Sequence, residues 1–199
     1  MYSDLGQRLE DMHELQEQID KFFDSARERF RYTLEDGRVR FSREMQEFQR
    51  RYRVSSLRYL LDADLPSVLT APIIYSMVVP LAVTDLCFTL FQHICFRAYG
   101  VPRVPRGKYL VIDRHRLVYL NSIEKLNCIY RGYGNGVSAY TREIIAMTEQ
   151  YWCPIRHARR VSGAHERYPN FLDYGDAEGY QSGQENLRRG LREETDEDV

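Results

Sequence analysis

The sequence predicts a mainly α protein: an N-terminal helical coiled-coil arm, one Pro-kinked membrane helix or re-entrant wedge, and a small C-terminal, mostly helical domain with a short β-hairpin. Three observations carry this prediction. An apolar seam with heptad-like steps runs through the first 62 residues, an almost uncharged run spans Leu65 to Phe96, and a capped helix start follows Leu120. The 199 residues accordingly divide into an arm (1–62), a membrane segment (63–98), a C-terminal helical domain (99–180) and a disordered acidic tail (181–199).

In the arm, Leu5, Leu9, Met12, Ile19, Phe23, Ala26 and Phe30 recur at alternating four- and three-residue steps, interrupted only by Gln16. So narrow a seam must pack on a partner helix. Asp36-Gly37 signals a turn, and Phe41, Met45, Phe48 and Tyr52 resume the spacing beyond it, which fits an antiparallel helical hairpin. The same spacing also fits a coiled coil that pairs two chains. Residues 1–24 hold seven acids against Arg8 and Lys21, whereas residues 25–60 hold ten bases against five acids. The basic half adjoins the apolar run, where Arg50, Arg51, Arg53 and Arg58 can each gain roughly 1 kcal/mol from an anionic membrane surface.

From Leu65 to Phe96 the ionisable side chains of consequence are Asp85 and His93. A hydrocarbon core about 30 Å thick needs about 20 helical residues, so this run suffices for one crossing and not for two. Pro80 lies near its middle and removes a backbone hydrogen bond, which permits a bent crossing or a re-entrant wedge. Basic residues on both flanks, Arg50, Arg51, Arg53 and Arg58 on one side and Arg97, Arg103, Arg106 and Lys108 on the other, leave the orientation balanced. Asp85 is expected to face a partner or a polar cavity, because a charged carboxylate in the lipid-exposed middle costs roughly 2.5–3.5 kcal/mol. His93 is expected on the same face.

Beyond Gly100, Lys108 to Leu120 reads as a small hairpin, with two apolar stretches around the charged centre Asp113 to Arg116. Asn121 and Glu124 form a capping-box-like start for a helix to about Arg131. Gly132-Tyr-Gly-Asn-Gly136 is expected to break it at a corner, a second helix to run from Val137 to Trp152, and a third to cover Ile155 to Val161. The end of the chain, Glu193 to Asp198, is dominated by acids.

Composition excludes several functions. Lys+Arg 28 against Asp+Glu 29 is not the balance of a nucleic-acid binder. The glycine loop fits neither a dinucleotide fingerprint, since Val137 stands where the third glycine belongs, nor a P-loop, which needs a lysine. His-Glu-x-x-His and Gly-x-Ser-x-Gly are absent, which removes standard zincins and lipase-type hydrolases. The opening MYSDLGQRLE lacks the basic-then-apolar pattern of a secretory signal, so the four cysteines are expected to be free thiols.

One constellation remains. Glu124 and Cys128 lie four apart, and Glu149, Cys153 and His157 continue at the same spacing. Residues four apart share a helix face, and these are ligand types that zinc or iron takes. Folding the two helices back at the glycine corner would place Glu124 opposite Glu143 and Cys153 nearer His115, so the ligands fall into one cluster or two; buried, unreactive cysteines and a capping histidine are the alternative. The strings EKLNCIYRGYGNG (124–136) and EQYWCPIRHARR (149–160) resemble a group of uncharacterised bacterial membrane-anchored proteins whose first motif more often reads Cys-x-x-Cys. That resemblance implies a thiol-rich metal site. Arg131 stands here in place of the second cysteine.

Two functions are therefore expected. The first is a non-enzymatic scaffold or accessory subunit of a bacterial membrane complex, contacting the bilayer and other subunits or self-associating through the coiled coil, with its soluble parts on the cytoplasmic side. The second is a membrane-anchored metal-binding or redox protein using Cys128, Cys153 and His157.

Overall fold

The computed structural model describes residues 2–35 and 38–194, with side chains from 14 onward except 16, 34, 35 and 38. The chain is mainly helical with one two-stranded antiparallel sheet. It forms two compact units, residues 1–62 with 113–126, and residues 63–112 with 127–199. Residues 113–126, expected in the C-terminal domain, thus belong with the arm.

The first unit opens with helix α1 (Tyr2–Phe30), which ends where Arg31 takes a left-handed φ of 47°. Strands β1 (Tyr32–Glu35) and β2 (Arg38–Phe41) then pair with Tyr32 opposite Phe41, their rings 5.6 Å apart. This corrects the helical hairpin. Tyr32, Thr33, Val39 and Phe41 are β-branched or aromatic residues that suit a strand, and the helical spacing is genuine only from α2 (Arg43–Arg50), capped by Ser42. The Asp36-Gly37 turn lies outside the described residues. Helix α3 (Ser56–Leu61) follows, capped by Ser55. On α1 the seam residues Ile19, Phe23 and Phe30 are each about half exposed or more, so among the described residues no helix covers them fully.

In the second unit α4 (Leu65–Ser76) and α5 (Val78–Phe91) continue into a π-helical turn, Gln92–Phe96, and the short α6 (Arg97–Tyr99). Leu65–Tyr99 is the one stretch of 35 residues long and apolar enough to cross a membrane among the described residues. Its ladder is interrupted at Met77, three residues before Pro80, which has no N–H to offer the carbonyl of Ser76. Asp64 caps its start, accepting from Ser67 N at 3.2 Å, and Gly100 (φ 67°) closes its end.

Residues 106–116 contain the short helix α7 (Arg106–Tyr109) and, in the first unit, a 3₁₀ turn at Arg114–Arg116, and no strand. The expected hairpin at 108–120 is therefore corrected: its apolar stretches are too short to outweigh helix-compatible Arg106-Gly-Lys-Tyr. The capping box is present. Asn121 Oδ1 accepts from Ile123 N and Glu124 N, and Glu124 Oε2 accepts from Asn121 N at 2.9 Å.

Helix α8 (Ser122–Trp152) then runs unbroken for 31 residues, straight through the glycine cluster. The glycines serve close approach rather than a corner. A Cβ on Gly136 would lie 2.9 Å from the carbonyl oxygen of Tyr109, and one on Gly134 would lie 3.3 Å from Leu81 Cδ1. Tyr140, Ile144 and Met147, at four- and three-residue steps, fill the core with Phe96, Val104 and Leu191, and Val137 one turn earlier is also buried.

Past Pro154 the third helix is replaced by a single bridge between Ile155 and Leu172. Much of the expected disordered tail is helix α9 (Ala177–Glu193); only 195–199 lie outside the described residues. It orders because Leu191 is fully buried, and because Arg188 and Gln184 donate to the carbonyls of Tyr151 and Trp152 at 2.7 and 3.1 Å, the acceptors that α8 leaves unpaired at its end.

Candidate functional site

Asp85 is the one carboxylate between Leu65 and Tyr99, and α5 turns it inward, its side chain 11% exposed. Arg106 grips it with two hydrogen bonds, Nε to Oδ1 at 3.1 Å and Nη2 to Oδ2 at 2.7 Å. The Tyr133 hydroxyl donates to Oδ2 at 3.0 Å and the Thr89 hydroxyl to Oδ1 at 3.4 Å. A carboxylate has about four acceptor positions, and four donors occupy them here. The expectation that Asp85 faces a partner holds, and the partner is in the same chain.

The network continues one turn further. Tyr140, fully buried, is contacted by the Thr89 hydroxyl at 3.4 Å and by a short hydrogen bond from Gln92 Nε2. Gln92 Oε1 accepts from Val104 N at 3.0 Å, so one side chain ties the apolar segment to the irregular stretch after Gly100. Gln92, not His93, shares the inward face with Asp85: His93 is exposed and directs Nδ1 to Thr89 O at 2.7 Å.

Electrostatically the cluster is closed. The hydrogen bonds to Asp85 hold the Arg106 guanidinium above its ordinary pKa, and burial followed by the neighbouring Asp85 carboxylate raises that of Tyr133. Both groups therefore remain donors at any physiological pH. With no vacant acceptor and no exposed nucleophile, this arrangement positions chain segments rather than transferring protons.

A second polar cluster pins α9. Arg167, 12% exposed, donates from Nε to Glu143 Oε1 at 2.6 Å, and from Nη1 and Nη2 to the two carboxylate oxygens of Glu194 at 2.7 and 2.8 Å. Nη1 also reaches Gln150 Oε1 at 3.1 Å. Planar bidentate pairing of this kind is what arginine does best.

The metal constellation does not assemble. Cys128 lies on the unbroken α8 about 36 Å along its axis from the helix end that precedes Cys153, at about 1.5 Å per residue. Zinc ligands must lie within about 2.3 Å of one ion. Glu124 caps the helix, Glu149 pairs with His165 Nε2 at 3.0 Å, and His157 stacks on Tyr168. No group of three His, Cys, Asp or Glu side chains is placed to hold a metal among the described residues. The correction has two physical sources: the expected corner at Gly132–Gly136 is continuous helix, so nothing folds Cys153 back, and the helix ends at Trp152 before Pro154, so His157 does not continue its face.

Sequence reasoning missed Arg106, Tyr133 and Tyr140. Arg106 was weighed only as flanking charge, and Tyr133 lay hidden within a supposed turn. A usable signal existed in Tyr133, Val137, Tyr140 and Ile144, which mark one helical face when the glycines are read as small residues on that helix.

No family model, no curated protein and no solved structure matches the chain. The resemblance drawn from the strings at 124–136 and 149–160 rests on those strings alone.

Proposed function

We propose that the protein is a non-enzymatic, membrane-anchored scaffold or accessory subunit of a bacterial membrane complex, with its soluble parts on the cytoplasmic side. One observation carries the reading: along Leu65–Tyr99 the outward side chains are mostly apolar, with His93 and Arg97 only near the end, while the buried ones include the polar pair Asp85 and Gln92. Leu69, Ile73, Val79, Leu86 and Ile94 are each at least 60% exposed, whereas Asp85 and Gln92 are buried. Water is a poor solvent for so long an apolar face, and hydrocarbon a good one. A membrane segment turns its polar groups to the protein interior for the same reason.

The accessory role is supported by what the chain leaves uncovered. Leu15, Ile19, Phe22 and Phe23 on α1 have more than half their surface exposed, which suits a second helix from another subunit or a second copy of the chain. The test has two arms. Carbonate-washed membranes should retain the protein in the pellet, and recovery of the intact chain as a soluble monomer without detergent would overturn the anchor. Purification in mild detergent should give either defined membrane-complex subunits at fixed stoichiometry or a discrete homo-oligomer that Phe23→Asp dissociates. A monodisperse monomer with no partner would overturn the scaffold.

A further inference from the structure

The first unit contains a groove of about 530 Å³ that the membrane reading does not use. Its walls come from the β-hairpin, α2 and the 3₁₀ segment, with Tyr32, Phe41, Phe48, Tyr52 and Tyr119 giving flat aromatic surface. That volume is in the range of small-molecule sites, roughly 300–1,000 Å³. Two features go beyond an apolar surface. Gln49 lines the groove, is 9% exposed, and its carbonyl oxygen has no hydrogen-bond partner. A buried acceptor left without a donor is unfavourable unless something supplies one. At the mouth, Arg114 and Arg116 outnumber Asp113, and neither arginine makes an ion pair with a described residue.

From this geometry we propose that the groove binds a flat aromatic acid carrying one hydroxyl group. The rings stack on the aromatic walls, as offset or edge-on aromatic pairs do. The carboxylate lies at the arginines of the mouth. The hydroxyl donates to Gln49 Oε1, an oxygen out of solvent contact on a groove-lining side chain, after rotation of the side-chain amide toward the ligand. An alkyl amphiphile would satisfy the arginines but neither the flat walls nor the unpaired oxygen. This inference is independent of the scaffold reading, since it concerns residues outside the apolar segment.

The test is calorimetric titration of the full chain in phosphatidylcholine nanodiscs, with empty discs as the blank. The probes are 6-hydroxy-2-naphthoate, 2-naphthoate, 2-naphthol and laurate. The hydroxynaphthoate should bind saturably at one site, about fivefold tighter than 2-naphthoate, the net effect of one hydrogen bond. Gln49→Leu should reduce that ratio to about one, and it retains a folded unit because it removes an unpaired acceptor; an unchanged circular dichroism spectrum checks this. Arg114→Gln with Arg116→Gln should weaken both acids and leave 2-naphthol unchanged. The proposal is overturned if no naphthoate binds above the blank, if the two naphthoates bind equally to the unsubstituted protein, or if laurate binds tighter than either.

Discussion

Gly136→Ala is the most direct probe of how α8 meets the rest of its unit. In an open helix position the change stabilises by about 0.5–1 kcal/mol, because alanine has less chain entropy to lose. At Gly136 the added Cβ would sit 2.9 Å from Tyr109 O, 3.0 Å from Leu110 Cα and 3.0 Å from Leu110 Cγ. Two of these three are backbone atoms that cannot rotate away. Overpacking of this kind costs about 1–3 kcal/mol, which outweighs that gain and leaves a net loss of up to about 2.5 kcal/mol. Gly134→Ala is the internal control, since its Cβ meets only Leu81 Cδ1 at 3.3 Å, the end of a flexible side chain. Gly190→Ala on α9, with nothing within 4 Å, should stabilise by about 0.5–1 kcal/mol. Thermal unfolding of the three variants in one detergent, followed by circular dichroism, gives the comparison. If Gly136→Ala raises the midpoint as Gly190→Ala does, α8 is not packed against residues 109–110 and the continuous-helix reading of the glycine cluster fails.

Further outcomes follow from the two polar clusters and the separated cysteines. Arg106→Met should destabilise by about 2–4 kcal/mol by leaving Asp85 buried without its cation, and adding Asp85→Asn should restore most of the loss; equal unfolding midpoints for Arg106→Met and the unsubstituted protein would refute the pairing. Arg167→Met should free the C-terminal part of α9, read as faster proteolysis near residue 190 with the cleavage pattern elsewhere unchanged. Elemental analysis of purified protein should show the same zinc and iron content with and without Cys128→Ser and Cys153→Ser, whereas a stoichiometric metal lost in either variant would contradict the separation of these residues. The Asp64 carboxylate is held below its ordinary pKa of 3.8 by hydrogen bonds from Ser67, side chain first and then backbone. Because its native pKa is the lower one, its stabilising share is complete above the unfolded value and disappears as pH falls through the native value. A carboxyl carbon NMR titration with a midpoint above 3.8 would contradict the cap.

Where the sequence was legible, a single side-chain period dominated. The apolar run needed only its length, and the capping box at Asn121 and Glu124 only its spacing. The β-hairpin was misread because Phe41, Met45 and Phe48 carry a helical period that begins one residue too early, across the Ser42 cap, and masks the strand preference of residues 32–41. Gly132, Gly134 and Gly136 were misread as a corner because glycine is a turn residue by conformational freedom and an interface residue by size, and spacing alone does not separate the two. The separation of Cys128 from Cys153 descends from that choice, and the loss of the helical spacing between Cys153 and His157 from the end of α8 at Trp152. The actual cluster around Asp85 depends on contacts 21 to 48 residues apart in sequence, from Arg106 and Tyr133, which no local pattern encodes.

The placement of Asp85 also bears on the order in which the protein can be made. The groups that compensate it, the Arg106 cation and the Tyr133 hydrogen-bond donor, are translated after the segment that carries it. For an anchor delivered to lipid during synthesis, as the proposed location requires, the apolar run reaches the insertion machinery with its carboxylate still uncompensated. A cost of roughly 2.5–3.5 kcal/mol is smaller than the summed apolar gain of such a run, so the segment can enter lipid with Asp85 unpaired. Arg106 and α8 then arrive as the groups that fix its rotation, and insertion and the docking of the C-terminal half are on this view two steps in a set order.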